Sequence, residues 1–291
     1  MSAEPDNFHH VRDFPSFELP LGLKIDLPVV FGLQITKFMV LQLVAAAFVL
    51  FVFRGVASRV RKGEPVRGRF WNFWEALALF IRDEVVRPTI GEADHGHGDP
   101  GHDSHAHSAA SYGGHSADKY LPFIWSCFFY VLICNLLGAL PFLGSATGNI
   151  NVTAALAVTA MGATFVYGSQ VMGVFGFFGN LIPDTGVGGF GGFALGCLMF
   201  VIELLGFVIK HSILALRLFG NIMGGHTALG VMLAFIGQAV KQGPALWSVI
   251  TLGSIAGQIG IGMLELLVAV LQAYVFSFLA TIFIAGSIHK H

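Results

Sequence analysis

Residues 193–238 read FALGCLMFVIELLGFVIKHSILALRLFGNIMGGHTALGVMLAFIGQ, an almost continuously apolar run that nevertheless contains Glu203, Lys210, Arg217 and His226. A charged side chain at the centre of a bilayer costs at least ~2.5 kcal/mol even on the most lenient insertion scale. Several such side chains in one span are typical of proteins that handle ions, or of groups that satisfy one another. The run therefore predicts an intramembrane helix that takes part in moving ions.

The length of this run favours one long helix over two crossings. Roughly 46 residues extend about 69 Å as a single helix, more than twice the ~30 Å hydrocarbon thickness. No proline interrupts the chain between Pro183 and Pro244, and glycine bends a helix in lipid without having to end it. The stretch from Ala245 to Ile288 repeats the situation, with Glu265 as its only charge. Two steeply tilted antiparallel helices are expected, and a curved partner such as a ring of hairpins would explain the tilt.

Three of the charges share one face of the first long helix. Glu203, Lys210 and Arg217 are seven residues apart. Seven residues of helix return a side chain to within ~20° of its starting direction, so the three form a single stripe. An ion pair between Arg217 and Glu203 is not expected, because the two lie ~21 Å apart along the helix.

The text around the arginine, Leu214-Ala-Leu-Arg217-Leu-Phe-Gly-Asn221, resembles the signature helix of subunit a, the membrane-embedded stator of F-type ATP synthases. A second motif, Glu265 followed by Leu-Gln272-Ala-Tyr-Val-Phe, is similar to the last helix of that family. With both motifs the resemblance covers most of the chain from about Gly32 to the end.

The resemblance implies a proton-translocating, non-catalytic subunit that forms two offset half-channels against the rotor c-ring and couples ion flow to ring rotation. Arg217, Asn221 and Gln272 are then site residues, with the arginine facing the rotor. The expected partners are the c-ring, stator b-type subunits and the lipid bilayer. Nucleic acid, a cofactor and a bound metal are not expected. Because no G-x-x-x-x-G-K-[ST] sequence is present, nucleotide chemistry is assigned to other chains.

The inner half-channel is expected around Glu203, with Lys210 as a supporting residue. An assembly role for Glu203 at the level of the lipid headgroups is the alternative. The family usually has proline after this lysine, whereas His211 stands here.

The outer half-channel is expected from helix geometry once Arg217 and Gln272 are taken to lie level, as the resemblance implies. His226 is nine residues forward from the arginine, a rise of ~13 Å, and Glu265 is seven residues back from the glutamine, a rise of ~10 Å. On antiparallel helices both rises point the same way, so the two side chains arrive at similar depth. His226 is turned ~180° from Arg217 and should line a path beside the rotor contact. A simple buried ion pair is the competing interpretation.

The composition agrees with an all-α polytopic membrane protein of about five transmembrane helices. Hydrophobic residues make up 55% of the 291 residues and charged residues 11%, and the mean hydropathy is +0.73. The segments are assigned as follows: 1–35, an extracytoplasmic N-terminal segment without a cleaved signal peptide; 36–90, a first transmembrane helix over Phe38 to Phe53, a basic loop and an amphipathic surface helix over Trp71 to Val86; 91–118, a His-rich insertion; and 119–291, the channel-forming helices.

The basic loop after the first crossing predicts a cytoplasmic side, so the N-terminus lies outside and the C-terminus in the cytoplasm of a bacterial inner membrane. Tyr120 to Pro183 is long enough to cross twice, with a turn at Pro141 to Asn149. Gly176 to Gly192 is expected to be a glycine-dense loop that breaks the helix pattern. Asn135 and Asn151 are possible supporting residues, each of which is equally well a helix cap or an interhelical hydrogen bond.

Two other classes of function were compared with this one. The His-rich insertion suggests a metal-cation transporter, although a disordered insertion explains the same composition. A transporter needs clustered His and Asp or Glu inside the membrane, whereas here such residues are scattered singly beside an arginine that would repel a metal. A purely structural anchor leaves the cost of burying Arg217 unexplained.

Overall fold

The structure is a computed structural model, and it describes residues 16–19, 23–30, 33–61, 68–91, 116–140, 144–180, 190–240 and 243–288. Residues 92–115 of the His-rich insertion therefore lie outside the described residues. Short antiparallel strand pairs precede the helices: β1 (Ser16–Leu19) with β2 (Leu23–Asp26), and β3 (Val29–Val30) with β4 (Leu33–Gln34). The rest of the described chain is helical.

The helices follow in chain order. They are α1 (Lys37–Arg61), α2 (Arg69–Phe80), α3 (Arg87–Gly91), α4 (Leu121–Gly138), α5 (Ile150–Met172), α6 (Val174–Asn180), α7 (Phe190–Ala239) and α8 (Pro244–Ile288). A π-helical stretch, Ile81–Val86, joins α2 to α3, and 3-10 turns lie at Ser116–Tyr120 and Ala146–Gly148. Within the described ranges, five helices are long and apolar enough to cross a membrane: α1, α4 with its preceding turn, α5, α7 and α8. The predicted all-α polytopic fold is confirmed.

Both long apolar runs are single helices, as predicted. Helix α7 has 50 residues and α8 has 45, which correspond to about 75 Å and about 68 Å of helix. Both helices consist mainly of apolar residues. They also contain glycines, which do not end a helix in lipid because its internal hydrogen bonds satisfy the backbone. The steep tilt of these helices stays a prediction.

Two expectations need correction. The helix pattern breaks earlier than the predicted Gly176 to Gly192 loop, because Gly173 has a φ of 78° and α6 then begins at Val174. Glycine adopts that left-handed backbone without the steric cost that a Cβ would add. The surface helix is also longer than Trp71 to Val86, since it runs without interruption from Arg69 through the π-helical stretch to Gly91.

The chain divides into two compact units. The first comprises the described parts of Met1–Leu50, Phe129–Val158 and Ser212–Tyr274, and the second those of Phe51–Phe128, Thr159–His211 and Val275–His291. In the first unit the buried core consists of large side chains on α4 and α7 and of small residues on α8. The fully buried positions include Phe129, Val131, Leu214, Leu218, Ile222, Ala269 and Ala273. Small residues allow transmembrane helices to approach closely, so the core of this unit is built for tight helix contact.

A buried polar network in the first unit ties α4 to α8. The Asn135 amide nitrogen donates to the Ala269 carbonyl (3.3 Å), and the Asn135 carbonyl accepts from the Thr147 hydroxyl (3.0 Å). The Ser145 and Thr147 hydroxyls are 2.9 Å apart. A Cβ at Gly138 would collide with the Ser145 side chain, so a larger residue there would displace this network.

The surface helix is anchored within the second unit by its aromatic side. The Trp125 indole on α4 donates to the Ala78 carbonyl (2.9 Å), and the Arg59 guanidinium on α1 lies 4.0 Å from the centre of the Trp71 ring. At its far end Arg87 donates twice to Asp118, at 3.2 and 3.1 Å, and this contact raises the arginine pKa. The apolar side of this amphipathic helix is therefore the side that packs against the rest of the second unit.

Candidate functional site

The expected meeting of the two long helices at one titratable pair is confirmed in the first unit. His226 Nε2 on α7 lies 4.0 Å from Glu265 Oε1 on α8, and the side chains are 18% and 5% exposed. A Cβ on Gly225 would come within 3.0 Å of the same carboxylate oxygen, so the glycine gives the carboxylate its place beside α7. At 4.0 Å the two atoms are beyond hydrogen-bond distance, and a small rotation of either side chain would bring them close enough to exchange a proton.

Helix α8 carries a stripe of polar side chains that includes this carboxylate. Thr251, Gln258, Glu265 and Gln272 are seven residues apart and so lie on one face. Each has a buried side-chain atom that finds no hydrogen-bond partner among the described residues: Thr251 Oγ1, Gln258 Nε2, Glu265 Oε1 and Gln272 Nε2. An unsatisfied buried polar atom costs about 1–3 kcal/mol, so this face is suited to water or to a travelling proton.

Sequence reasoning missed the first two members of this stripe. The seven-residue spacing that identified Glu203, Lys210 and Arg217 applies equally to Thr251 and Gln258, and it was the available signal. On α7, Asn221 also has a buried amide nitrogen without a hydrogen-bond partner in the described part of the chain. Glu265 and Gln272, which were predicted, are both 5% exposed.

Arg217 points away from the packed side of α7. Its side chain is exposed, whereas Leu214, Leu218 and Ile222 on the same helix are buried. No ion pair within the described residues involves Arg217. A guanidinium on an apolar helix surface is costly in lipid, so this position requires an anion or water that the described residues do not supply.

Glu203 is paired with Lys210, in the second unit. The lysine Nζ lies 3.4 Å from Glu203 Oε1, and the two side chains are 53% and 51% exposed. The same two residues line a cavity of about 520 Å³ together with His211, Thr164 and Ser287. A carboxylate that lines a cavity large enough for water can collect and release protons, and His211, which the sequence had marked as unusual, lines the same cavity.

The two asparagines differ in role. Asn135 is fully buried and makes the interhelical hydrogen bonds described above. Of the two roles that the sequence allowed, a helix cap or an interhelical hydrogen bond, the structure shows the second. Asn151 is exposed, and its backbone N–H donates to the side chain of Asn149 (2.9 Å), so Asn149 caps α5. Which asparagine caps a helix depends on the residue at which the helix begins, and α5 begins at Ile150, directly after Asn149.

The described residues contain no group of three or more His, Cys, Asp or Glu side chains close enough to hold a metal ion. A cation transporter would need such a cluster between its helices. That interpretation thus gains no support from the described helices.

These features define a multi-pass helical membrane protein with titratable side chains buried between its two longest helices. Residues 104–285 match the family described as "ATP synthase A chain". The chain belongs to this family.

Full-length comparison gives the same family. The chain is 30% identical over 293 residues to ATP synthase subunit a of Chloroherpeton thalassium, covering 97% of this chain and 76% of that protein. It is 34% identical over 291 residues to ATP synthase subunit a of Chlorobium phaeobacteroides, covering 97% and 75%. The match to ATP synthase subunit a of an Anaeromyxobacter species is 32% over 288 residues, with 97% and 62% covered.

Proposed function

We propose that this chain is the proton-translocating subunit of a rotary F-type ATP synthase, forming two offset half-channels against a ring of rotor subunits. The observation that carries the proposal is Arg217, an exposed guanidinium on an apolar helix with no ion-pair partner in the described residues. An anionic partner must come to it from another chain, and a rotor carboxylate in the membrane has the required charge. The family membership supports the same assignment.

Arginine suits this position because a guanidinium stays charged even where burial would neutralise a lysine. It attracts the ionised rotor carboxylate as it passes and prevents protons from running straight between the half-channels. Asn221 lies one turn further along α7 and Gln272 on α8, and their amides orient the groups that face the rotor.

The outer half-channel uses the His226–Glu265 pair. A proton arriving from outside binds the carboxylate or the imidazole, passes between the two across 4.0 Å, and leaves toward the rotor carboxylate. Histidine is the side chain whose charge changes most readily near neutral pH. The inner half-channel uses Glu203, which faces a cavity large enough for water and exchanges protons with the cytoplasm.

In this function the chain carries out no ATP chemistry, which belongs to other subunits. Its partners are the rotor c-ring and stator b-type subunits, and it resides in a bacterial inner membrane. The N-terminus is assigned to the outside and the C-terminus to the cytoplasm, because the basic loop after α1 follows the positive-inside rule. The His-rich insertion is proposed to be a cytoplasmic segment outside the pathway.

The test is Arg217→Ala in the assembled complex, reconstituted in vesicles. ATP-driven proton pumping is expected to fall by at least about a hundredfold, because a preorganised charge at the transfer step is lost. Passive proton leak through the complex is expected to rise. Arg61→Ala, an exposed position at the end of α1, is the matched control and should pump normally. Full coupled pumping by a correctly assembled Arg217→Ala complex would overturn the proposal.

A further inference from the structure

His211 is the buried titratable group of the second unit that the mechanism above leaves without a task. It lies on α7 and is 2% exposed. Its ring packs between Phe207 on the same helix and Phe283 on α8, with ring centres 4.7 Å away on each side. One edge of the imidazole borders the cavity of about 520 Å³ that Glu203 also lines.

Hydrogen bonding fixes which nitrogen can exchange a proton. His211 Nδ1 lies 2.8 Å from the Phe207 carbonyl oxygen, which only accepts, so Nδ1 carries a hydrogen. His211 Nε2 lies 3.5 Å from the Thr164 hydroxyl on α5, a long contact. The same hydroxyl lies 2.9 Å from the Ala160 carbonyl. Proton gain and loss are therefore confined to Nε2.

The Thr164 hydroxyl can serve both protonation states of the ring. When the imidazole is neutral, the hydroxyl donates to Nε2. When the imidazole is cationic, Nε2–H donates to the hydroxyl oxygen, and the hydroxyl turns its own hydrogen to the Ala160 carbonyl. The change of state requires only the rotation of one O–H bond, since no side chain has to move. A site that binds both states without rearrangement is suited to transferring a proton.

Few charged side chains face the ring. On α7 the facing charges are Lys210 and Glu203, which are paired with each other. The groups contributed by α5, α6 and α8 to the cavity are uncharged, and the two phenylalanine rings favour a cation modestly. The Ser287 hydroxyl oxygen of α8 lies 2.8 Å from the Ile284 carbonyl oxygen and 3.2 Å from the Thr164 carbonyl oxygen, so its one hydrogen bonds to one of these acceptors at a time.

We infer that His211 is a proton-carrying residue of the inner pathway, which accepts a proton at Nε2 and releases it to the water of the Glu203 cavity. One N–H bond forms as the proton arrives and the same bond breaks as it leaves, with no change of oxidation state. This inference rests on the proposed function, because it concerns the cytoplasmic branch of that proton path.

The experiment compares His211→Gln with the unaltered chain in the complete ATP synthase, reconstituted with its catalytic sector facing the medium. ATP synthesis is driven by an imposed potential, and the pH is set independently on the two sides. Dividing the variant's rate by the wild-type rate at each pH cancels the pH dependence of the catalytic sector. The rate ratio should fall to roughly one tenth at the medium pH where this imidazole exchanges protons best, and recover away from it.

The ratio should stay constant when only the internal pH is varied. Cys197→Ala, at an exposed position of α7 in the same unit, is the matched control and should give a ratio near one at every pH. A flat His211→Gln ratio against the medium pH, whatever its level, would mean that the histidine only fills space between the phenylalanines. That outcome overturns the inference.

Thr164→Val covers the case in which His211→Gln fails to assemble. It keeps the imidazole and removes the hydroxyl that serves both states, so the rate should drop and its dependence on medium pH should change. An unchanged profile would count against the relay. Arg217→Ala is run in the same assay: if it stays active the proposed function fails, whereas an inactive Arg217→Ala beside a flat His211→Gln ratio rejects the histidine alone.

Discussion

The His226–Glu265 pair and the Glu203–Lys210 pair place the same kinds of groups in opposite environments. The first is almost enclosed, its carboxylate being 5% exposed, and its nitrogen and oxygen are 4.0 Å apart. The second is about half exposed at a shorter distance of 3.4 Å. Exposed ion pairs contribute about 0–1 kcal/mol, whereas an isolated buried charge costs several. Burial therefore shows where the chain gives up stability, and an enclosed carboxylate without a full ion pair calls for a functional reason.

Of the two pairs, the enclosed one is expected to show the larger effect. Glu265→Ala and His226→Ala should each slow proton uptake by roughly 10- to 100-fold, because each removes a group that transfers the proton. In the double variant the losses should be less than additive, since the first change already disables the shared site. ATP-driven acidification of reconstituted vesicles measures all three rates.

The control for this cycle is Ser248→Ala, an exposed position on α8 whose hydroxyl bonds only to its own helix at Pro244. It should leave the rate unchanged. Strictly additive losses for His226 and Glu265 would show that the two residues act independently, despite their closeness.

A smaller effect is expected from filling the space beside the carboxylate. Gly225→Ala places a methyl group about 3.0 Å from Glu265 Oε1, so the flexible carboxylate must shift away from its position next to His226. The rate of proton uptake should fall several-fold, while assembly is retained because only a side-chain end moves. Gly230→Ala, where an added Cβ meets no atom within 4 Å, is the matched control on the same helix. Equal rates for the two variants would show that proton uptake does not depend on the position of this carboxylate.

The smallest effect is expected at the exposed pair. Glu203→Gln removes a contact worth at most about 1 kcal/mol, so the complex should assemble normally. Transport should slow by about two- to fivefold, because water in the cavity replaces part of the function of the carboxylate. The measurement is the pumping rate across medium pH, with Lys210→Met as the comparison. Rates that match the wild type at every pH would favour the assembly role of Glu203.

Some parts of this arrangement could be predicted from the sequence because they follow from helix geometry. The uninterrupted apolar runs determined α7 and α8, and a rise of about 1.5 Å per residue placed His226 and Glu265 together. The spacing of seven could also have revealed Thr251 and Gln258.

Other parts depend on contacts between distant residues. Asn135 meets the Ala269 carbonyl across 134 positions of sequence, and no local pattern specifies that partner. In the sequence, His211 is notable only because the family usually has proline at this position, directly after the lysine. Its meaning depends on Thr164, which tertiary packing brings to its Nε2. The break at Gly173 was missed because glycine is frequent on both sides of it, so composition alone does not show which one adopts the left-handed backbone.

The π-helical stretch Ile81–Val86 shifts the phase of the surface helix by one residue. The buried positions before and within it are Trp74, Ile81 and Val85, at helical intervals, and the count then restarts at Val86 and continues to Ile90. In a uniform α-helix without this extra residue, the side chains beyond Val86 would be rotated by about 100° about the helix axis. Arg87 then would not face Asp118. The widened turn thus acts as a one-residue insertion that sets the direction of Arg87. A sequence alignment that leaves out this extra residue will misplace every residue from there to Gly91.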